Sequence, residues 1–278
     1  MSTRHACIVG WPVEHSRSPM IHNFWLEKHA IDGSYTRRAV PPGEEAGFFA
    51  ALRNEGLAGC NVTLPHKQAA LAAAEVATDD ARAVGVANTL WLEDGRLHAD
   101  NTDGAGFVQH LQASVPAFAP ARAAVSILGA GGGARGVIHA LLRAGVPEVR
   151  LFNRTRDRAD AVARHFGARV RAHDWGERQD RSRDAGLLIN ATSLGMRGSG
   201  DLDMPLAQLA DDCVVADLVY VPLETPLLAA ARARGLPAVD GLGMLLHQAV
   251  PGFQRWFGIR PEVTAELRAL LVADIEKR

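Results

Sequence analysis

A chain of 278 residues, 47% hydrophobic and 22% charged, is long enough to bury two cores in the manner of an ordinary water-soluble globular protein. Its 30 Lys and Arg against 31 Asp and Glu leave a net charge of -1, which offers no overall field to a phosphate backbone or an anionic membrane, so neither nucleic acid nor membrane is an expected partner. No apolar run approaches the roughly 18 residues that span a bilayer, and the opening MSTRHACIVGWP is free of polar side chains only from Ala6 to Gly10, too short for a signal segment, so a cytoplasmic location is expected.

Short β-like runs alternate with helical stretches along the chain, the pattern of βαβ units and parallel sheets. ACIVG (6–10), SYTRRAV (34–40) and GCNVTL (59–64) read as strands separated by helices near 19–30, 43–55 and 66–77. ANTLWLEDGRLHADN reads as a hairpin, because Asp94-Gly95 is a favoured two-residue turn. A helix from Thr102 leads into the Ala- and Pro-rich QASVPAFAPARAA (112–124), the expected crossing between domains. A second series follows: AVSILGAG, a helix over 133–144, EVRLFN, a helix over 155–166, AGLLINAT, CVVADLV, a helix over 225–234, and PAVDG. The last 38 residues, from Gly241, read as two helices broken near Gly258 and Pro261, whose apolar faces need a host surface. The expected fold is therefore α/β with two domains and a cleft between them. An N-terminal α/β domain with a mostly parallel sheet spans 1–104 and is completed by 241–278, and a Rossmann-type domain spans 105–240. Cys7, Cys60 and Cys213 are odd in number, lack metal-ligand spacing and lie in apolar runs, which predicts buried reduced thiols. None of the eleven histidines, His15, His22 and His66 included, pairs at ligand spacing, so no metal is expected.

SILGAGGGARG places Gly129, Gly131 and Ala134 in G-x-G-x-x-G/A spacing, directly after a strand and at the opening of a helix. The first glycine permits the tight turn, the second lets a pyrophosphate approach the backbone, and the small third residue lets helix and strand pack closely. Ala130, Gly132 and Gly133 complete that phosphate-facing turn. At the end of the next strand, beginning 24 positions after Gly129, an NAD site would carry an acid for the ribose 2′-hydroxyl; this chain has LFNRTRDR, with Asn153, Arg154, Thr155 and Arg158. A guanidinium suits a 2′-phosphate, and positive charge at a helix N-terminus opposes the macrodipole unless an anion sits there, so the expected cofactor is NADP.

The first domain supplies Ser16 and Ser18 in HSRSPMIHN, Thr63 and Lys67 in NVTLPHK, Asn88 in VANTL, and Asn101 and Asp103 in DNTDG. Ser18, before Pro19, could be a helix N-cap, whereas Ser16 has no such explanation. Hydroxyls, amides, one lysine and one aspartate at the ends of several strands suit a small polyhydroxylated acid.

Nine ordered segments, GWPVEHSRSP, NVTLPHK, ANT, NTDG, GAGGGARG, NRT, NATSLGM, DLVYVPLETPLL and GLGMLLHQA, resemble the shikimate dehydrogenase family over nearly the whole chain. That resemblance implies reversible NADPH-dependent reduction of 3-dehydroshikimate to shikimate, a step toward the aromatic amino acids. It implies that Ser16 and Ser18 bind the substrate carboxylate and that Thr63, Asn88, Tyr220 and Gln248 line the pocket. Lys67 with Asp103 would be the acid–base pair, and Thr192, Met196 and Gly241 would join the cofactor site. Reducing a ketone by hydride needs a proton at the oxygen, which a lysine held by an aspartate can supply. The family commonly carries an aromatic residue where His66 stands and reads Gly-Ala-Val-Asn-Thr where this chain has GVANT, changes to the pocket wall rather than to the chemistry. A quinate/shikimate dehydrogenase of broader range and a noncatalytic ligand-sensing homologue stay open as alternatives, as does a homodimer.

Overall fold

The computed structural model describes residues 3–277. They form two compact units: the residues up to Asp103 with Leu246–Leu271, and Gly104–Leu245 with the residues from Val272 onward.

The first unit runs β1 (Arg4–Gly10), α1 (Ser18–Lys28), β2 (Gly33–Ala39), α2 (Glu45–Ala51), β3 (Leu57–Val62), α3 (Lys67–Ala73), β4 (Val76–Ala77), α4 (Asp79–Val84), β5 (Thr89–Glu93) and β6 (Arg96–Asp100). The sheet order is β2-β1-β3-β5-β6-β4. β1 lies parallel to β2 and β3, while β5 is antiparallel to both β3 and β6. That reversal follows from the turn: Asp94 and Gly95 both sit in the left-handed region (φ 51° and 71°), and a two-residue link can join only antiparallel strands. The helix expected over 66–77 stops at Ala73. Glu75 and Leu97 exchange backbone and carboxylate hydrogen bonds that turn Val76 and Ala77 into a strand beside β6. Thr78 then caps a further helix, accepting from Ala81 N at 3.1 Å ahead of two acidic residues that suit a helix start. Cys7, Val9, Cys60, Val62 and Leu90 fill the core of this sheet, and all three cysteines of the chain are buried and free.

The second unit begins with α5 (Asp103–Ser114), followed by β7 (Ala124–Leu128), α6 (Gly132–Arg143), β8 (Glu148–Phe152), α7 (Arg156–Phe166), β9 (Val170–His173), β10 (Leu187–Asn190), β11 (Val214–Asp217), α8 (Pro226–Ala233) and β12 (Ala238–Val239). Its sheet is parallel throughout, in the order β12-β11-β10-β7-β8-β9, a doubly wound arrangement with the topological switch between β7 and β10. Both faces are covered, so Val125, Ile127, Val149, Leu151, Leu187 and Ile189 are all fully buried and their strands read as continuous apolar runs. β9 escapes a pattern search because it is an edge strand whose Arg169 and Arg171 flank the inward Val170. The chain passes between units at Asp103 and Gly104, and the Ala- and Pro-rich stretch 112–124 lies within the second.

α9 (Gly241–Phe257) and α10 (Ala265–Glu276) complete the chain. Trp256 on α9 donates its indole N–H to Leu90 O at 2.9 Å, and a Cβ at Gly59 would fall 2.1 Å from that oxygen and 2.3 Å from the indole nitrogen. Only glycine allows that approach of helix to sheet. Among the described residues no helix is long and apolar enough to cross a membrane.

Candidate active site

Lys67 opens α3 and Asp103 opens α5. A carboxylate suits a helix N-terminus; an ammonium opposes the macrodipole there and needs a compensating anion. Asp103 supplies it: Lys67 Nζ donates to Asp103 Oδ2 at 2.5 Å, with the two side chains 14% and 9% exposed. The second carboxylate oxygen accepts from Asn88 Nδ2 at 2.8 Å. Asn88 is buried and central, its amide also reaching Thr102 Oγ1 (3.0 Å) and Gln248 Oε1 (3.3 Å) while its oxygen accepts from Thr102 N (2.9 Å) and Thr89 Oγ1 (3.0 Å). Thr102 Oγ1 in turn donates to the Gln248 carbonyl at 2.8 Å, tying α9 to the hairpin. Behind Thr89, Asn61 donates to Thr89 Oγ1 (3.2 Å) and accepts from Tyr35 OH (2.7 Å). Tyr35 is 2% exposed and burial holds its phenol well above the usual range, so it stays a donor. Lys67, Asp103, Asn88 and Gln248 are thus brought together, and Thr89, Thr102, Asn61 and Tyr35 support them. Asn61, Thr89 and Thr102 stand inside the motifs already singled out, though none is given a role there; Tyr35 carries no signal beyond a strand pattern.

Ser16 and Ser18 are adjacent, Oγ to Oγ 3.2 Å, with Ser18 N donating to Ser16 Oγ at 3.3 Å. Ser18 is the first residue of α1 and not its cap, since Arg17 occupies the N-cap position and no side chain caps the helix. Arg37, which sequence reasoning passed over, donates from Nε (3.0 Å) and an Nη (2.6 Å) to the Ser16 carbonyl and straps this segment to β2. Thr63, half-buried, ends the β3 run, its carbonyl accepting from His66 N at 3.0 Å in the turn that delivers Lys67. His66 is buried, and its Nε2–H donates to Val40 O at 2.7 Å, which tethers the turn before Lys67 to the end of β2. His22 stacks on Tyr35 (4.0 Å between centroids) among Trp25, Phe253 and Trp256. Among the described residues its ring nitrogens have no hydrogen-bond partner, and burial, only partly offset by the nearby Asn61 side chain, lowers its pKa to about 3, so it is a neutral core residue.

In the second unit the glycine-rich turn joins β7 to α6. Gly129 has φ +104°, and a Cβ there would strike the Ala191 carbonyl oxygen at 2.8 Å, whereas a Cβ at Gly131 would meet nothing within 4 Å. Gly131 is the N-cap residue and no side chain caps α6, which leaves its first amides without a capping bond, as a helix start that takes a diphosphate requires. Ala130 N donates to Asn153 Oδ1 at 3.2 Å, which fixes the end of β8 against the turn, and Ala134 is fully buried where helix and strand meet. Arg156 is spent on Asp160 and Asp174. Arg154 and Arg158 are exposed and have no carboxylate partner among the described residues, and Thr155 is the N-cap of α7 without a capping bond. This donor set fits a ribose 2′-phosphate and lacks the acid that would accept from a free 2′-hydroxyl. Thr192 borders the same turn, its methyl lying 3.0 Å from a Cβ built on Gly129, Met196 is 43% exposed on the segment after β10, and Gly241 opens α9 against Leu218. Tyr220, half-buried after β11, belongs to this unit, unlike the other residues expected around the substrate.

Asp217, at the end of β11 and 1% exposed, is a buried carboxylate that the sequence reading did not single out. Burial raises its carboxyl from 3.8 to about 6, against the donors Val219 N, Thr225 and Asn190, which lower it. Between roughly pH 4 and 6 the folded protein therefore holds this proton more tightly than the unfolded chain does, and the group's contribution to stability falls by about 3 kcal/mol as pH rises through that window. Asp217→Asn removes the slope: urea unfolding across that range should show the variant gaining stability relative to the wild type as pH rises, and parallel curves would contradict the burial of an ionised group.

Three family models match the chain in order: "Shikimate dehydrogenase substrate binding domain" over residues 8–90, "Shikimate / quinate 5-dehydrogenase" over 113–196, and "Shikimate 5'-dehydrogenase C-terminal domain" over 241–271. A relative from Azorhizobium caulinodans named shikimate dehydrogenase (NADP(+)) is 53% identical over 272 residues, 98% of this chain and 97% of its own. Among solved structures, shikimate 5-dehydrogenase from Thermus thermophilus in complex with NADP(H) and shikimate matches with a TM-score of 0.86 at 35% identity, covering 98% of this chain and 99% of that one. Quinate dehydrogenase from Corynebacterium glutamicum in complex with NAD matches with 0.90 at 28% identity, covering 98% and 100%. With the lysine–aspartate pair, the uncapped glycine-rich turn and the matched models agreeing along its length, the chain belongs to the shikimate dehydrogenase family.

Proposed function

We propose that the protein catalyses the reversible NADP-dependent interconversion of 3-dehydroshikimate and shikimate, with the first unit holding the substrate and the second the dinucleotide. The observation that carries this reading is the Lys67–Asp103 contact at 2.5 Å, set in a buried amide cluster rather than on the solvated surface. NADPH, when bound, supplies the hydride. The chain's own residues manage the oxygen: the ammonium of Lys67 lies where a proton is needed as charge develops on the ketone oxygen, and Asp103 fixes that ammonium and accepts from a neighbouring ring hydroxyl. Asn88 holds Asp103 from behind, so the carboxylate cannot rotate away from the ring. The adjacent hydroxyls of Ser16 and Ser18 suit a carboxylate, and Thr63, Gln248 and Tyr220 are assigned to the ring hydroxyls.

Gly129 to Ala134 would take the diphosphate, Asn153, Arg154, Thr155 and Arg158 the adenosine ribose and its phosphate, and Thr192, Met196 and Gly241 the nicotinamide end. Replacing Arg154 and Arg158 together by Ala should raise KM for NADP by on the order of 100-fold, since each charge-assisted contact is worth about 1.5–3 kcal/mol. The rate with NAD should stay near its wild-type value. An equal loss with both cofactors would remove the assignment of these arginines to the 2′-phosphate.

Mixing the protein with shikimate and NADP tests the whole reading at once, by the near-ultraviolet absorbance of the reduced nicotinamide. Parallel traces with quinate and with NAD separate the broader-range reading. Tight binding of both ligands without turnover would favour a sensing homologue, against which the intact Lys67–Asp103 pair already argues.

A further inference from the structure

We infer that Asp217 is a positioning residue of the dinucleotide site, one carboxylate that keys the two segments following β10 and β11 and so sets the walls that meet the glycine-rich turn. This rests on the second unit being the NADP site. The register pairs Asn190 with Asp217 across the ends of parallel strands. Asp217 Oδ1 accepts from Asn190 Nδ2 and from Val219 N, both at 2.9 Å, and Oδ2 accepts from Thr225 Oγ1 at 2.7 Å. Each donor governs a different piece of wall. Asn190, held this way, accepts from Thr192 N (3.1 Å) and Thr192 Oγ1 (2.7 Å) and donates to Leu194 O (2.9 Å), which shapes the 190–194 turn whose Ala191 carbonyl abuts Gly129. The Val219 bond sets Leu218, whose side chain lies 3.7 Å from a Cβ at Gly133 and whose carbonyl would lie 2.4 Å from one at Gly241. Thr225 caps α8 and closes the far end of the segment, and Arg197 N donating to Val221 O at 3.1 Å joins the two segments again.

Three donors converge on two oxygens, so the shape of a carboxylate is needed: an amide offers one acceptor oxygen and an alanine none. Calorimetric titration with NADP+ measures the effect without turnover. Each hydrogen bond lost is worth on the order of tenfold. Asp217→Asn should weaken NADP+ binding several-fold and Asp217→Ala by about tenfold or more, while KM for shikimate stays within about twofold. Asn190→Ala added to Asp217→Ala should cost little further, because both act through one contact. Unchanged NADP+ affinity in Asp217→Asn and Asp217→Ala, or equal losses for both ligands, would overturn the inference. Should Asp217→Ala fail to fold, Asp217→Asn decides alone, since it keeps the shape and relieves a buried charge. A wild type that binds NADP+ but does not oxidise shikimate would sink the proposed reaction and leave this test standing; one that binds no NADP+ would sink both.

Discussion

Replacing Lys67 by Ala lowers kcat for shikimate oxidation by on the order of 100- to 10,000-fold, the usual contribution of a positioned acid–base group, and leaves KM for shikimate within a few-fold. The ammonium acts at an oxygen whose charge changes only as the reaction proceeds, so its removal is felt in the transition state far more than in binding. Fold survives, because Asp103 keeps its place at the start of α5 and its bond from Asn88. Lys67→Met, which retains the stem without the charge, should match Lys67→Ala in kcat. A large rise in KM with kcat intact would reduce Lys67 to a binding group and remove the acid–base pair from the mechanism.

Asn88→Ala has the second largest expected effect, and it falls on stability as well as rate. Asn88 is 2% exposed and satisfies Asp103, Thr102, Thr89 and Gln248 from three separate stretches of chain. Truncation leaves the buried Thr102 N–H and the Asp103 oxygen without their partner and should cost about 2–4 kcal/mol in urea unfolding. kcat/KM for shikimate should fall by on the order of 100-fold, because Asp103 loses the donor that orients it. Asn88→Asp is isosteric yet should be worse for activity, since it sets two carboxyls in contact and one of them must keep a proton. An Asn88→Ala protein with wild-type unfolding midpoint and rate would show the cluster to be incidental.

The nucleotide half was legible because its signals are local. A glycine-rich turn between a strand and a helix, with arginines closing the next strand, is a backbone and charge requirement written in neighbouring residues, and the Asp94-Gly95 turn likewise forces its hairpin. Other features had no local signature. Ala-rich 67–77 has helix propensity throughout, but pairing of Val76 with β6 overrides it, and β9 is an edge strand half covered in arginine. Tyr35 and Arg37 read as ordinary strand residues until the sheet order gives them their partners Asn61 and the Ser16 carbonyl. Asp217 reads as the polar end of an apolar run, and only the parallel register with Asn190 gives its carboxylate three donors. By itself, then, the sequence determined which chemical groups are present and the backbone turns that neighbouring residues impose. Contact between Lys67 and Asp103, 36 positions apart, and the buried hub at Asn88 were decided by tertiary structure, because hydrogen bonds between distant strands depend on register and burial, which no short stretch of residues encodes.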